Sequence, residues 1–265
     1  LTGVDAFTNS YTQASVEAYQ YEVRNGREQN IQLLEKAKVS ILRPETVQSF
    51  ELGYRGAVNL ADNLFEFDVV GFYNFHEDFI TTKEVFTPFY GNVSADISSA
   101  EFQNAARAVA NQDVLRYILR TNTDSKIDAY GFSAGFVTKV LGGFDFGVNY
   151  AFSDFTTDTE DLDFKPSFNT PKHAVKLQFG HDRLFKNLGF GVNARWQDEF
   201  LYQSRFIDAL VDERIVLDAQ INLTLPKLKS FIKFGGTNLG GDTYISVPGA
   251  GSIGSQYYVS WTINQ

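Results

Sequence analysis

The sequence predicts an all-β chain, the wall of a transmembrane antiparallel β-barrel built from about nine strands. Three observations predict it. Nine stretches alternate apolar and polar residues with a period of two. The connections between them are alternately short and long. Aromatic residues gather on the apolar side near the long connections.

Successive side chains on a strand point to opposite faces, so this period gives a ribbon with one greasy and one wet side. In chain order the first apolar faces are Phe50, Leu52 and Tyr54, then Phe65, Phe67, Val69, Gly71, Tyr73 and Phe75, then Tyr130, Phe132, Ala134 and Phe136. The clearest segment follows, Phe144-Asp145-Phe146-Gly147-Val148-Asn149-Tyr150-Ala151-Phe152, reading Phe, Phe, Val, Tyr, Phe on one side and Asp, Gly, Asn, Ala on the other. Val175, Leu177 and Phe179 make the fifth face, and Phe190, Val192, Ala194 and Trp196 the sixth. Leu217, Ala219, Ile221 and Leu223, then Ile232 and Phe234, and last Tyr257, Val259, Trp261 and Ile263 complete the set. The opposing faces hold Glu51, Arg55, Glu66, Asp68, Asp145, Lys176, Arg195, Asp218 and Lys233, whereas no apolar face holds a charge. A Lys or Arg facing lipid at mid-bilayer costs ~2–4 kcal/mol, so such exclusion is expected.

Short turns fall at Leu60-Ala61-Asp62-Asn63, Leu141-Gly142-Gly143, residues 182–187 and Pro226-Lys227-Leu228-Lys229; long connections span residues 81–125, 154–172, 197–213 and 239–255. Membrane barrels have this asymmetry, tight periplasmic turns and long outer loops. Tyr73, Phe75, Tyr130, Tyr150, Phe152, Trp196 and Tyr257 sit on the apolar side near the long-loop ends, where an aromatic girdle meets the lipid–water interface. A soluble β-sandwich meets the alternation and the charge exclusion equally well. The connections and the aromatics favour the barrel.

With the long loops outside, the first of nine strands descends from outside. Lipid does not tolerate an open edge, and single-chain bacterial barrels have even strand numbers, so the chain reads as part of a larger barrel. Residues 16–23 would make a tenth strand, but neither of their faces is free of charge. A loop helix suits them better. Residues 1–45 therefore read as an outer loop segment and 46–265 as barrel.

Composition narrows the function. The 265 residues are 43% hydrophobic and 15% aromatic, with 25 Phe, 13 Tyr and neither Cys nor Met. Without cysteine there is no disulfide framework and no thiolate metal site. A formal charge of −9 disfavours a nucleic-acid partner, which wants clustered Lys and Arg. The histidines His76, His173 and His181 are not at ligand spacing from one another, and His76-Glu77-Asp78 reads as a hydrated strand end rather than a metal or acid–base site. Ser133 in Gly131-Phe132-Ser133-Ala134-Gly135 lies mid-strand, without the strand–turn–helix context of a nucleophile elbow. Gly235-Gly236-Thr237-Asn238-Leu239-Gly240-Gly241 lacks the Lys-Ser/Thr ending of a phosphate loop. Asn92-Val93-Ser94 and Asn222-Leu223-Thr224 match the glycosylation sequon, which carries little meaning in a bacterial barrel. Neither an enzyme nor a bound cofactor is expected.

Connection 81–125 is the most suggestive functional segment, because loops this long usually act. It holds Phe86, Phe89 and Tyr90, then a predicted helix capped at Ser98-Ser99-Ala100-Glu101, with Phe102, Ala106, Val109 and Ala110 on one face. Phe86, Phe89, Tyr90 and Phe102 are the candidates for ligand or partner contact. On the wall, Asp145, Asn149, Arg195, Asp218 and Asn222 are the candidates to face the lumen.

Several short motifs, in order, resemble the TonB-dependent outer-membrane receptors. They are Leu42-Arg43-Pro44-Glu45 followed by Ser49-Phe50-Glu51-Leu52-Gly53-Tyr54, then Asp128-Ala129-Tyr130-Gly131-Phe132, Asn169-Thr170-Pro171-Lys172-His173 and Gly236-Thr237-Asn238-Leu239. The resemblance runs from Arg43 to the end. It implies a 22-stranded barrel filled by an N-terminal plug, of which this chain supplies the last nine strands. It further implies active import of a ligand, with energy relayed by the TonB complex through the plug. The implied partners are outer-membrane lipid, the plug and the remaining strands, with a surface lipoprotein as one further partner for the long loop. The plug and its TonB-contacting segment lie outside these residues. The chain ends in Gln265, where such barrels usually end in an aromatic; Trp261 is the nearest. The alternative is a structural or secretion-associated barrel that recruits partner proteins without TonB-coupled uptake. Neither clustered basic residues for anionic chelates nor stacked tryptophans for sugars mark the ligand.

Overall fold

A computed structural model describes residues 2–27, 30–60, 63–140, 142–158, 165–204 and 206–263. Ala61, Asp62 and Leu141 of two predicted turns, residues 159–164 of a long connection, and Gln265 lie outside the described residues. The elements are α1 (Gly3–Thr8), β1 (Tyr11–Thr12), α2 (Gln13–Arg24), β2 (Thr46–Leu60), β3 (Asn63–Glu77), β4 (Ile80–Pro88), α3 (Ala100–Ala110), β5 (Val114–Asn122), β6 (Ile127–Val140) and β7 (Phe144–Thr157). They continue with β8 (His173–Phe185), β9 (Leu188–Gln197), β10 (Phe200–Gln203), β11 (Asp208–Val211), β12 (Arg214–Leu225), β13 (Ser230–Thr237) and β14 (Gln256–Ile263). Two compact units result. A loop unit comprises residues 1–48, 75–127 and 157–166, and a wall unit comprises 49–74, 128–156 and 167–265.

The wall is a nine-stranded sheet in the order β14-β13-β12-β9-β8-β7-β6-β3-β2, and its members are the nine strands that the alternation predicts. Sequence neighbours among the nine are spatial neighbours, an up-and-down antiparallel meander. Register keeps like with like. One row runs Phe146, Phe179, Val192, Ala219, Gly236 and Tyr257 across six strands; an opposing row runs Asn149, Lys176 and Arg195. A slip of one residue would move every apolar side chain to the wet face, which is why the pattern fixes the pairing. Large apolar side chains on this sheet lie open: Leu52 is 83% exposed, Val259 68% and Trp261 63%. A sandwich core would bury them; a lipid-facing wall leaves them outward. The edge strands β2 and β14 do not pair with each other, so the barrel is not closed by these strands.

Tight turns join the wall strands on one side. Lys229, at φ 43°, ends the single 3₁₀ turn Pro226–Leu228 between β12 and β13, and Lys186, at φ 38°, turns β8 into β9.

The loop unit has a core of its own. Tyr11, Val16, Tyr19, Leu34, Val93, Phe102, Ala105, Ala106 and Val109 pack together beneath α2 and α3, and β1, β4 and β5 form a three-stranded sheet. Residues 16–23 are helical, within α2, whose N-terminus is capped by Thr12 Oγ1 accepting from Ser15 N. The α3 cap falls one residue later than the sequence suggests. Ser99, not Ser98, accepts from Phe102 N at 3.1 Å. Ser98 instead donates its N–H to Asp96 Oδ1 at 2.8 Å, because the nearby carboxylate outcompetes the helix end for it. Those bonds from Ser98 hold the Asp96 carboxyl below its ordinary value. The predicted face buries Phe102, Ala106 and Val109, leaves Ala110 half-buried, and adds Ala105 and Ala108.

Two predictions arise here. Gly91 has φ +87°, and a Cβ on it would lie 2.2 Å from Ala105 N and 2.6 Å from Glu101 O, backbone atoms of α3 that cannot yield. Gly91→Ala is expected to destabilise the loop unit by ~1–3 kcal/mol, read as faster protease cleavage within residues 81–125. The second concerns Tyr11, whose hydroxyl is buried without a hydrogen-bond partner among the described residues. Burial pushes its phenol well above the ordinary value of 10.0, with neighbouring Tyr19 adding to the shift. A raised folded-state value stabilises fully below the unfolded value and is lost as pH rises towards the folded one, so the unit should loosen above about pH 10. Tyr11→Phe should hold stability at neutral pH and delay that alkaline loss, followed by near-UV circular dichroism. Tyr19, raised by the same burial, keeps part of the dependence.

Candidate functional site

Alternation places Asp145, Asn149, Arg195, Asp218 and Asn222 on one face of the wall, and the register brings them into adjoining rows. Arg195 Nη2 donates to Asp218 Oδ2 at 2.8 Å, and the other Asp218 oxygen accepts from Asn238 N at 3.1 Å. Lys139 lies 3.3 Å from Asp145, and Arg55 Nε donates to Asp68 at 2.6 Å. These pairs are largely exposed, so they orient side chains more than they stabilise the sheet. Gly147 opens a hollow of about 380 Å³ on this face, lined in part by Asn149, Lys176, Gln178, Asn193 and Arg195. Asn222 Oδ1 is buried without a partner among the described residues.

On the apolar face four of the aromatic candidates, Tyr73, Tyr130, Tyr150 and Phe152, are linked through ring contacts that include Phe132. Tyr73 stacks on Tyr130 at 5.9 Å, Tyr130 meets Phe152 at 6.2 Å, and Phe132 joins Tyr150 at 5.5 Å. Trp196 stands between Val175 and Ile215 in register, and Tyr257 opposite Gly236. Phe75 and Tyr257 are 41% and 76% exposed.

One sequence expectation needs correction here. The strands run beyond the apolar pattern, and alternation puts Asp128, Asp154, His173 and His181 on the apolar face at strand ends. Tyr73 Oη donates to Asp128 at 3.2 Å, Lys172 pairs with Asp154, and His173 Nδ1 lies 2.8 Å from Tyr150 Oη. Charge is kept from the middle of the face and stands at the strand ends, the arrangement expected where a hydrocarbon band gives way to hydrated rims. His173, which sequence reasoning left out of the girdle, is also 5.2 Å from the Phe152 ring. Extending the β8 period by one step from Val175 would have found it.

The four loop aromatics separate. Phe102 is 7% exposed and meets Tyr11 edge-on at 6.1 Å, and Phe86 packs half-buried against the same core. Phe89 and Tyr90 stay outside, 57% and 40% exposed. Their backbone and polar tips are fixed: Phe89 N donates to Asp113 O at 3.0 Å, Tyr90 Oη donates to Asp113 Oδ2 at 2.9 Å, and Asn111 Nδ2 donates to Tyr90 Oη at 3.2 Å. The Tyr90 ring, tethered at its tip, suits contact, since little conformational freedom remains to be lost on binding.

In the wall unit, Ile207, residues 209–215 and 242–245, Pro248 and Gly249 line a second cavity of about 680 Å³. Its Arg214 lies over the Tyr244 ring at 4.7 Å and donates to Ile245 O at 3.2 Å, so that base is already engaged.

The profile of the family described as "TonB dependent receptor-like, beta-barrel" matches residues 6–239. No protein of curated function matches the sequence. Three solved structures are similar at 14% identity, each over 83% of this chain. They are the FpvAI–pyocin S2 complex, with TM-score 0.56, and the ferripyoverdine receptor of the outer membrane of Pseudomonas aeruginosa bound to ferripyoverdine, with TM-score 0.53. The third is the FrpB iron transporter from Neisseria meningitidis, with TM-score 0.51. The chain covers 28%, 28% and 32% of those chains, and at this identity the likeness carries the fold alone.

Proposed function

Because the chain belongs to the TonB-dependent-receptor-like β-barrel family, we propose that it forms the C-terminal barrel wall and outer loops of an active-transport receptor. It is an outer-membrane barrel chain, and the family is one of transport receptors. In this reading residues 1–45 are an extracellular segment and 46–265 the barrel portion. The girdle sits at the lipid–water interface. Asp145, Asn149, Arg195, Asp218 and Asn222 face the plug or lumen, and Phe89 and Tyr90 are offered to the ligand or to a surface lipoprotein. Energy reaches the ligand through a plug and TonB. The observation that carries the reading is the apolar face of the nine-stranded sheet, free of charge between the strand ends and backed by a charged opposite face.

Two of the similar structures are described by ferripyoverdine and by iron transport, which makes ferric chelates the first ligands to try. The test is uptake of radioiron-loaded chelates by cells producing the full-length protein, with and without TonB. Uptake that needs both supports the reading. A protein that accumulates normally in the outer membrane but gives no TonB-dependent uptake of chelate, vitamin, glycan or peptide favours the structural or secretion-associated barrel instead.

A further inference from the structure

Leu42-Arg43-Pro44-Glu45 and His76-Glu77-Asp78, singled out separately in the sequence, meet inside the loop unit. Proline biases the residue before it towards extended backbone, which suits Arg43 to side-on pairing of its N–H and C=O. One side chain takes both. Asn122 Oδ1 accepts from Arg43 N at 2.6 Å, and Asn122 Nδ2 donates to Arg43 O at 2.9 Å and to Asp78 O at 2.5 Å. Asn122 is 6% exposed, and its amide acts as a peptide group where no strand is available.

Other contacts close the same junction. Ser40 N donates to the buried Thr121 Oγ1 at 2.8 Å, and Thr123 N donates to Phe79 O at 2.9 Å. The Glu45 carboxylate accepts from Ile80 N at 3.2 Å and lies 3.0 Å from His76 Nδ1. The Arg43 guanidinium reaches Asp78 at 2.7 Å and Asp124 at 3.6 Å, but these side chains are exposed and their attraction is screened. Losing the buried amide would instead orphan several backbone groups at once, the costlier event.

We infer that residues 40–45 are a latch across the base of the long connection, with Asn122 as its bolt. Closed, the latch straps the chain before β2 to both ends of residues 81–125, at 78–80 and 121–124. Open, it frees residues 38–45 from the ends of the long connection, while the α2–α3 core stays packed.

The test is trypsin cleavage after Lys38, followed by mass spectrometry on the full-length protein in detergent, where the sidedness of the membrane does not matter. Asn122→Asp keeps one acceptor but turns a carboxylate on two carbonyls; it should speed this cleavage at least about tenfold. Arg43→Gln should change it less than about threefold. Cleavage after Arg107 in α3 should stay constant in both. A Ser40→Cys/Thr121→Cys pair, in a chain without other cysteines, should slow cleavage when oxidised and restore it on reduction. The latch is overturned if Asn122→Asp leaves cleavage unchanged, or if Arg43→Gln matches it. It is equally overturned if cleavage after Arg107 rises in step, meaning whole-unit unfolding, or if the oxidised pair gives no protection.

Discussion

Phe102→Ala is expected to cost the loop unit ~3–5 kcal/mol, the loss typical of an aromatic ring removed from a packed core. Phe102 is 7% exposed, lies edge-on to Tyr11, and stands on the first turn of α3, where its own N–H completes the Ser99 cap. Its neighbours are held by helix and sheet, so the space it leaves cannot collapse cheaply. Denaturant titration of the solubilised protein, followed by protease sensitivity of residues 81–125, measures the loss. The control is Phe89→Ala. That ring is 57% exposed, and its removal should stay within ~0.5 kcal/mol. Equal losses at the two positions would contradict the placement of Phe102 in a core. The comparison also separates architecture from recognition: a partner or ligand should feel the Phe89 change and the fold should not.

Ile221→Arg is the second. Ile221 is 51% exposed on the apolar face of β12, flanked in register by Phe190 and Phe234. If that face meets hydrocarbon, an arginine there costs ~2–4 kcal/mol at mid-bilayer depth. The adjacent Gln220→Arg, on the same strand but facing Asp218's side, should be nearly neutral. Urea titration of the full-length protein in lipid vesicles gives both numbers. A soluble sheet with open faces would tolerate the two arginines alike, so an equal response would remove the lipid assignment.

The wall was legible because its two environments differ in polarity and the strand period is two. Long runs such as Phe144 to Phe152 and Leu217 to Leu223 satisfied that rule many times over. The β4 strand was not legible, for a physical reason. It too is buried on alternate residues, but of Thr81, Lys83, Val85 and Thr87 only Val85 is apolar, so hydropathy shows no alternation there. Their burial is supported by hydrogen bonds, as in the 2.6 Å contact between Ser10 Oγ and Thr87 Oγ1. The hairpin of β10 and β11 escaped because each strand has four residues, too few to show a period. Among candidate residues, alternation alone was enough to read that Asp145, Asn149, Arg195, Asp218 and Asn222 share one face of the sheet. Which loop rings would be exposed was not, since Phe86, Phe89, Tyr90 and Phe102 look alike until the helix and its partner surface are placed.

The β4–β5 hairpin has a consequence for the entropy cost of assembling the chain. The wall strands β3 and β6 are separated by a long stretch of chain, and joining them directly would carry the closure entropy of the whole loop. Pairing β4 with β5 sets Ile80 directly opposite Asn122, which holds the two ends of that stretch together. Once formed, the hairpin is a splint: the sheet contact of β3 with β6 then has only a few residues on either side left to close, at a correspondingly smaller entropy cost.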